Sequence, residues 1–147
     1  TFGVVHKATH RSTNHARAIK TVSKGEVKSL KMFRTEIEIQ KKLDHPNIVR
    51  LFETYEDQSS IYLVMELCRG GELFDKIIEA KRFTENQAAI VVQQILRAVF
   101  YMHNNCIAHR DLKPENFLFL TQGPLEDNVL KLIDFGFAHE FEPGRMM

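Results

Sequence analysis

Charge of either sign is nearly balanced: 20 Lys and Arg against 19 Asp and Glu leave a formal +1 at neutral pH. A nucleic-acid binder is expected to carry a basic excess, so that class is excluded. Long apolar runs are missing. None approaches the roughly 20 residues of a membrane-spanning helix, and no signal-peptide pattern opens the chain. Cysteine is scarce, and Cys68 and Cys106 lack metal-ligand spacing. Two lone thiols fit a reducing compartment, the cytoplasm, with both as packing residues. The 7 histidines offer no ligand-like pair on a predicted helix. Internal repeats and low-complexity tracts are also absent. What is there is a globular composition, 44% apolar and 27% charged over 147 residues, enough for one domain and one sizeable core.

The chemistry concentrates in His109-Arg110-Asp111-Leu112-Lys113-Pro114-Glu115-Asn116. A carboxylate, an ammonium and an amide fall within six residues. Pro114 fixes its own φ and biases Lys113 away from helix, so the stretch is expected to be a rigid loop. A carboxylate can accept a proton, a lysine can hold a phosphate, and an asparagine oxygen can ligate a hard cation. Such a set suits moving a phosphoryl group onto a hydroxyl. Eighteen residues past Asn116 stands Asp134-Phe135-Gly136, behind the apolar run Val129 to Ile133. A second carboxylate therefore ends a predicted strand, followed by a residue that permits unusual φ.

These two motifs, in this order and with a short strand pair between them, resemble the catalytic loop and the metal-binding D-F-G of protein kinases. The resemblance covers nearly the whole chain. It implies an α+β, bilobal protein-kinase-like fold, here truncated. Residues 1–66 would form an antiparallel N-lobe with one helix, lacking its first strand. Residues 67–71 would be the hinge, and 72–147 the start of a helical C-lobe, ending in the activation segment. The chain opens Thr1-Phe2-Gly3-Val4-Val5 without an initiator Met and closes Arg145-Met146-Met147 in a polar stretch. The expectation is a partial domain.

Local patterns agree with that outline. Residues 4–9 and 16–22 read as a hairpin around a polar turn. Residues 28–43 carry Leu30, Phe33 and Ile37 near helical spacing. Residues 48–55 and 61–66 read as antiparallel strands, followed by Gly70-Gly71 as a flexible join. Thr84 with Gln87 forms a capping box for a helix reaching about Asn104, whose stripe of Val91, Ile95, Ala98 or Val99, and Met102 is core. Residues 117–120 and 129–133 are further strands.

By resemblance, Phe2-Gly3 is the tail of the glycine-rich loop over the nucleotide phosphates. Lys20, in Ala18-Ile19-Lys20, would hold the α- and β-phosphates of ATP; without the other motifs it would read as an exposed strand-end lysine. Its partner would be Glu36, ten residues before Pro46. Glu38 competes, but at 100° per residue the two lie about 200° apart around a helix, so both cannot face Lys20. Val5, Ala18 and Leu118 would sandwich adenine, Met65 would guard the back of its pocket, and Glu66 to Cys68 would offer backbone groups. Asp111 would accept the hydroxyl proton and Lys113 would stabilise the γ-phosphate. Asn116 and Asp134 would hold Mg²⁺, and Arg110 would meet a phosphate on the activation segment.

Lys113 two residues after Asp111 resembles serine/threonine kinases. Gly70 to Asp75 and Leu43 to Leu51 resemble the calcium/calmodulin-dependent group. Pro114 to Leu120, with the loop after it, is most similar to calcium-dependent protein kinases of plants and protists. The implied activity is ATP-dependent transfer to serine or threonine hydroxyls of protein substrates. Glu72 and Glu115 either recognise a basic residue upstream of the target or are simply solvated. No D-x-D-x-D-G loop is present, so calcium control would lie outside these residues. The alternative is an inert partial chain that acts by binding partners. One departure stands out: Gln40, four residues after Glu36, occupies a position where the family has Leu or Met, stacked with Leu51, His109 and Phe135. Either its amide meets apolar neighbours, or a rotated helix turns it to solvent.

Overall fold

A computed structural model describes residues 3–142 and Gly144. The first half is a four-stranded antiparallel sheet: β1 (Val4–Thr9), β2 (Ala16–Ser23), β3 (Leu51–Glu56) and β4 (Ser60–Met65), in the order β1-β2-β4-β3. Helix α1 (Leu30–Lys42) crosses between β2 and β3 in sequence. Ser29 caps it by accepting from the Met32 amide at 3.3 Å, and Lys41 and Lys42 complement the negative end of its dipole. The period-two pattern of β2 sends Ala18 and Val22 inward, and register places Ile61, Leu63 and Met65 beside them. Ile37 of α1 closes this small core with Leu51, Ile61 and Leu63.

The second half begins with α2 (Leu73–Ala80) and α3 (Glu85–Asn104). The capping box forms in full: the Gln87 amide donates to Thr84 Oγ1 and the Thr84 amide to Gln87 Oε1, both at 3.1 Å. Three short strand segments follow, β5 (Ile107–Ala108), β6 (Phe117–Phe119) and β7 (Leu130–Leu132), then β8 (His139–Glu140). β6 pairs with β7 and β5 with β8, all antiparallel. Leu73, Val91, Ala98, Met102, Ile107, Phe117, Phe119 and Leu132 form the larger core. Ile95 lies at its edge, half-buried.

Two details differ from the sequence reading. The strand expected from residue 48 begins at Leu51. Residues 47–49 instead join the second half: the Val49 amide donates to Leu132 O and the Leu132 amide to Asn47 O, each at 2.9 Å. Beneath them Asn47 Nδ2 donates to Gln94 Oε1 at 2.9 Å, a buried polar lock. The second difference is the glycine pair. Gly70 is no flexible join: its amide donates to Phe119 O, the Arg69 amide to Leu120 O and the Phe119 amide to Gly71 O, each at 2.9 Å. A Cβ on Gly70 would collide with the Thr121 carbonyl. Glycine is there for close approach of two backbones, not for freedom.

Candidate active site

The catalytic-loop motif folds as an irregular turn between β5 and β6. Arg110 sits at φ +67°, a conformation uncommon outside glycine, and so turns Asp111 away from the strand line. Pro114–Asn116 forms one 3₁₀ turn with proline at its start, where a missing amide hydrogen costs nothing. Lys113 Nζ donates to Asp111 Oδ2 at 2.8 Å. Asn116 Nδ2 donates to the Asp111 carbonyl at 2.8 Å and to Oδ2 at 3.3 Å. The Lys113 hydrogen bond, helped by Asn116, holds the Asp111 carboxyl below its ordinary value and keeps it ionised. The same pairing raises Lys113.

The two motifs meet through the backbone. The Ile133 amide donates to the Asn116 carbonyl at 2.9 Å, which sets Asn116 beside the residue preceding Asp134. Asn116 is 5% exposed and spends its amide hydrogens on Asp111, leaving Oδ1 outside those bonds. His109 Nε2 donates to the Asp134 carbonyl, while its Nδ1 accepts from the Asp111 amide at 3.3 Å. That pattern is the neutral imidazole, and burial lowers the His109 pKa in the same direction. The Phe135 ring stands edge-on to His109, centroids 5.6 Å apart. The Gly136 amide caps Asp134 Oδ1 at 3.0 Å.

Above this lies the inner face of the sheet. Register puts Val5, Lys20 and Leu63 in one row and Ala18, Met65 and Leu51 in the next. Residues opposite each other in antiparallel strands share a face, so Lys20 points to the same side as Ala18 and Met65. Gly3 lies at φ +129°, where a Cβ would come within 2.6 Å of the Thr21 carbonyl. Phe2 lies outside the described residues. Burial lowers the Lys20 pKa, opposed by the Glu36 and Asp134 carboxylates. Burial raises Glu36, opposed by Lys20. Glu36 and Lys20 feel each other's charge without closing to a direct ion pair, and Glu36 Oε2 lies 3.8 Å from where a Cβ on Gly136 would stand. Glu38 is on the outer surface, with Lys41 Nζ 2.9 Å from it.

Below, Leu118 is half-buried and bridges to Glu72 just ahead of α2. Glu72 and Glu115 are both exposed, and α2 packs against the Pro114–Asn116 turn that carries Glu115. Glu66 and Cys68 lie between the halves; burial, with Glu66 nearby, pushes the Cys68 thiol up to about 11, so it stays neutral. Arg110 Nε donates to the Phe137 carbonyl at 2.7 Å. Sequence reasoning missed the Asn47–Gln94 lock and the buried Lys131. Neither breaks a hydrophobic pattern visibly: Gln94 lies within the apolar stripe of α3, and Lys131 inside an apolar strand.

The donor chemistry fits a hard cation with phosphates. One amide oxygen and one carboxylate, with a lysine facing them, match a site where magnesium takes one or two protein ligands and the rest from phosphate and water. Among the described residues, no cluster of three or more His, Cys, Asp or Glu could hold a metal by itself.

A family model described as protein kinase domain matches residues 1–147. Calcium-dependent protein kinase 3 of Plasmodium yoelii yoelii is 49% identical over 141 residues, 96% of this chain and 26% of that protein. A probable myosin light chain kinase of Dictyostelium discoideum is 46% identical over 97% of this chain and 37% of its own length. Calcium-dependent protein kinase 10 of Arabidopsis thaliana is 44% identical over 97% of this chain and 27% of its own. The chain thus spans about a quarter of the length of the first relatives it matches.

Proposed function

The chain belongs to the protein kinase domain family, and from that premise we propose that it carries an ATP-dependent site for phosphoryl transfer to serine or threonine hydroxyls of protein substrates. One observation carries the reading. Asp111, Lys113 and Asn116 form a single hydrogen-bonded unit, and Asn116 is tied to the strand end that presents Asp134. A base, a cation and two oxygen donors for a metal are thereby held together.

In this reading Asp111 accepts the hydroxyl proton. Its lowered pKa keeps it in the accepting form, and Lys113 is positioned to follow the γ-phosphate. Asn116 and Asp134 hold Mg²⁺, which when bound neutralises phosphate charge; transfer of this kind depends on positioning and charge neutralisation. Lys20, with Glu36 behind it, holds the α- and β-phosphates, and the Gly3 backbone covers them. Val5, Ala18, Met65 and Leu118 enclose adenine, with backbone groups of Glu66 to Cys68 along its edge. Residues 67–71 connect an N-lobe to a C-lobe, with Arg69 to Gly71 docked on the C-lobe side and Leu67 and Cys68 left to bend. Glu72 and Glu115 present acidic side chains to a basic residue upstream of the target. Calcium control, suggested by the relatives' names, resides outside residues 1–147. The reducing cytoplasm suits the free thiols Cys68 and Cys106. Among the described residues no helix is long and apolar enough to cross a membrane.

A second reading, a chain that is inert alone and acts by binding, draws on α3. Val92, Leu96 and Phe100 recur every fourth residue and are 50%, 60% and 68% exposed. The experiment that separates the two uses the purified full-length gene product, labelled ATP and peptides carrying one Ser, Thr or Tyr, with and without an upstream Arg, Mg²⁺ or Ca²⁺. Magnesium-dependent labelling of Ser and Thr peptides supports transfer. Absence of labelling under every condition supports the binding reading.

A further inference from the structure

Lys131 is the single Lys, Arg, Asp or Glu among the buried described residues, at 6% exposure. It sits in the middle of β7 between Leu130 and Leu132, which face the core. By alternation Lys131 faces the other way, beside its strand partner Leu118. Its Nζ lies 3.0 Å from Glu66 Oε2. The same carboxylate oxygen accepts from the Arg50 amide at 3.3 Å, and the Glu66 amide donates to Arg50 O at 2.9 Å. Glu66 is therefore bound to the start of β3 and to β7 at once.

The far end of this segment is also fixed. The Arg69 and Gly70 amides donate to Leu120 O and Phe119 O, which belong to β6 and its end. Leu67 and Cys68 span the gap between the two ties. Two residues past Leu132, the line of β7 arrives at Asp134. A buried ion pair seldom adds net stability over an apolar pair of similar volume; what it supplies is a directed, saturable contact. An apolar residue at 131 would fill the space but would not aim Glu66.

We propose that Lys131 is a positioning residue for the nucleotide: through its ion pair with Glu66 it sets the linker 66–68 at a fixed distance from the strand carrying Asp134, so that the purine edge and the phosphate-bound metal are engaged together. The inference rests on the nucleotide site proposed above. It commits Lys131 to the purine end, because the ion pair touches the linker and not Lys20 or Asn116.

The test uses the full-length protein with Lys131→Met, Lys131→Arg, Glu66→Gln and the Lys131→Met/Glu66→Gln double variant. Steady-state kinetics are read with competition by two probes, adenosine and magnesium tripolyphosphate. Lys131→Met is expected to raise KM for ATP and weaken adenosine about tenfold, equivalent to about 1.4 kcal/mol. Tripolyphosphate inhibition stays at the wild-type level, and the loss in kcat/KM appears in KM rather than kcat. Lys131→Arg restores adenosine affinity, Glu66→Gln reproduces the loss, and the double variant is no worse than the worse single, because the two act as one unit. Equal losses for both probes in step with a lowered Tm would overturn the proposal, as would unchanged adenosine affinity. Should Lys131→Met fail to fold, Glu66→Gln carries the same test, since its amide oxygen can still accept from Arg50. Wild-type protein that binds tripolyphosphate but not adenosine would overturn this inference alone; binding of neither would overturn the nucleotide-site reading with it.

Discussion

Replacing Gln40 by Met is expected to stabilise the fold and raise basal activity. Gln40 is 4% exposed, and its Nε2 is buried without a hydrogen-bond partner. It neighbours Ile39, which is 1% exposed and belongs to the main core. An amide nitrogen buried in this way costs about 1–3 kcal/mol. Gln and Met are close in length and volume, so the exchange removes the amide while leaving packing nearly intact. The gain should approach that same 1–3 kcal/mol, with Tm rising about 2–4 °C per kcal/mol in a domain of this size class. The functional consequence comes from α1, which carries Glu36 one turn earlier. A placement of α1 that gives the amide a partner is expected to compete with the one that brings Glu36 toward Lys20. Removing the penalty shifts that balance about five- to a hundredfold, at about 1.4 kcal/mol per factor of ten. Differential scanning calorimetry and kcat without activators, on the full-length protein, read the two effects. Loss of stability in Gln40→Met would refute the burial argument. Stabilisation with unchanged or lower basal kcat would refute the link from Gln40 to activity.

Other expectations follow from single contacts. Lys20→Met should abolish most turnover while Tm stays near wild type, because burial already disfavours the ammonium; near-normal kcat/KM would displace the nucleotide from this face. The acid limb of kcat/KM should be set by Glu36, whose carboxyl burial raises above 4.5, not by Asp111, which Lys113 holds below 3.8. The signs are opposite. Glu36 contributes stability below 4.5 that is lost as pH rises through its raised value; Asp111 contributes stability above 3.8 that is lost as pH falls through its lowered one. Glu36→Gln should therefore remove the higher acid inflection, and an unchanged profile would assign that limb elsewhere. Gly70→Ala should cost about 1–3 kcal/mol or more through backbone collision, seen as loss of soluble protein or a lowered Tm. Residues 1–147 expressed alone should self-associate through Val92, Leu96 and Phe100; analytical ultracentrifugation should show less association for Leu96→Glu, and a monomeric wild type would contradict this.

Much of the site was legible because its chemistry is local. Asp111, Lys113 and Asn116 lie within one turn and a loop, so spacing alone brings them together. Lys20 was singled out by its resemblance to the kinase strand motif, since its strand alone reads as ending in an exposed lysine. The capping box of Thr84 and Gln87 was readable for the same reason. What was not legible depends on pairs far apart in sequence. Gly70 reads as a flexible joint until β6 is known to run against it. Residues 48–50 read as strand, yet Asn47 to Val49 spend their backbone groups on Leu132. Lys131 lies unremarked inside the apolar run Val129 to Ile133, and only the fold reveals Glu66 opposite it.

The central claim is that Asp111 accepts the hydroxyl proton in transfer from ATP. Its most direct test is phosphoryl transfer by Asp111→Asn beside wild type, in the full-length protein at saturating Mg-ATP, with Tm and nucleotide affinity measured on the same samples. General-base removal should lower kcat about 10²–10⁴-fold while nucleotide affinity and Tm stay close to wild type. A variant that turns over within about threefold of wild type, less than any general base supplies, would contradict the account.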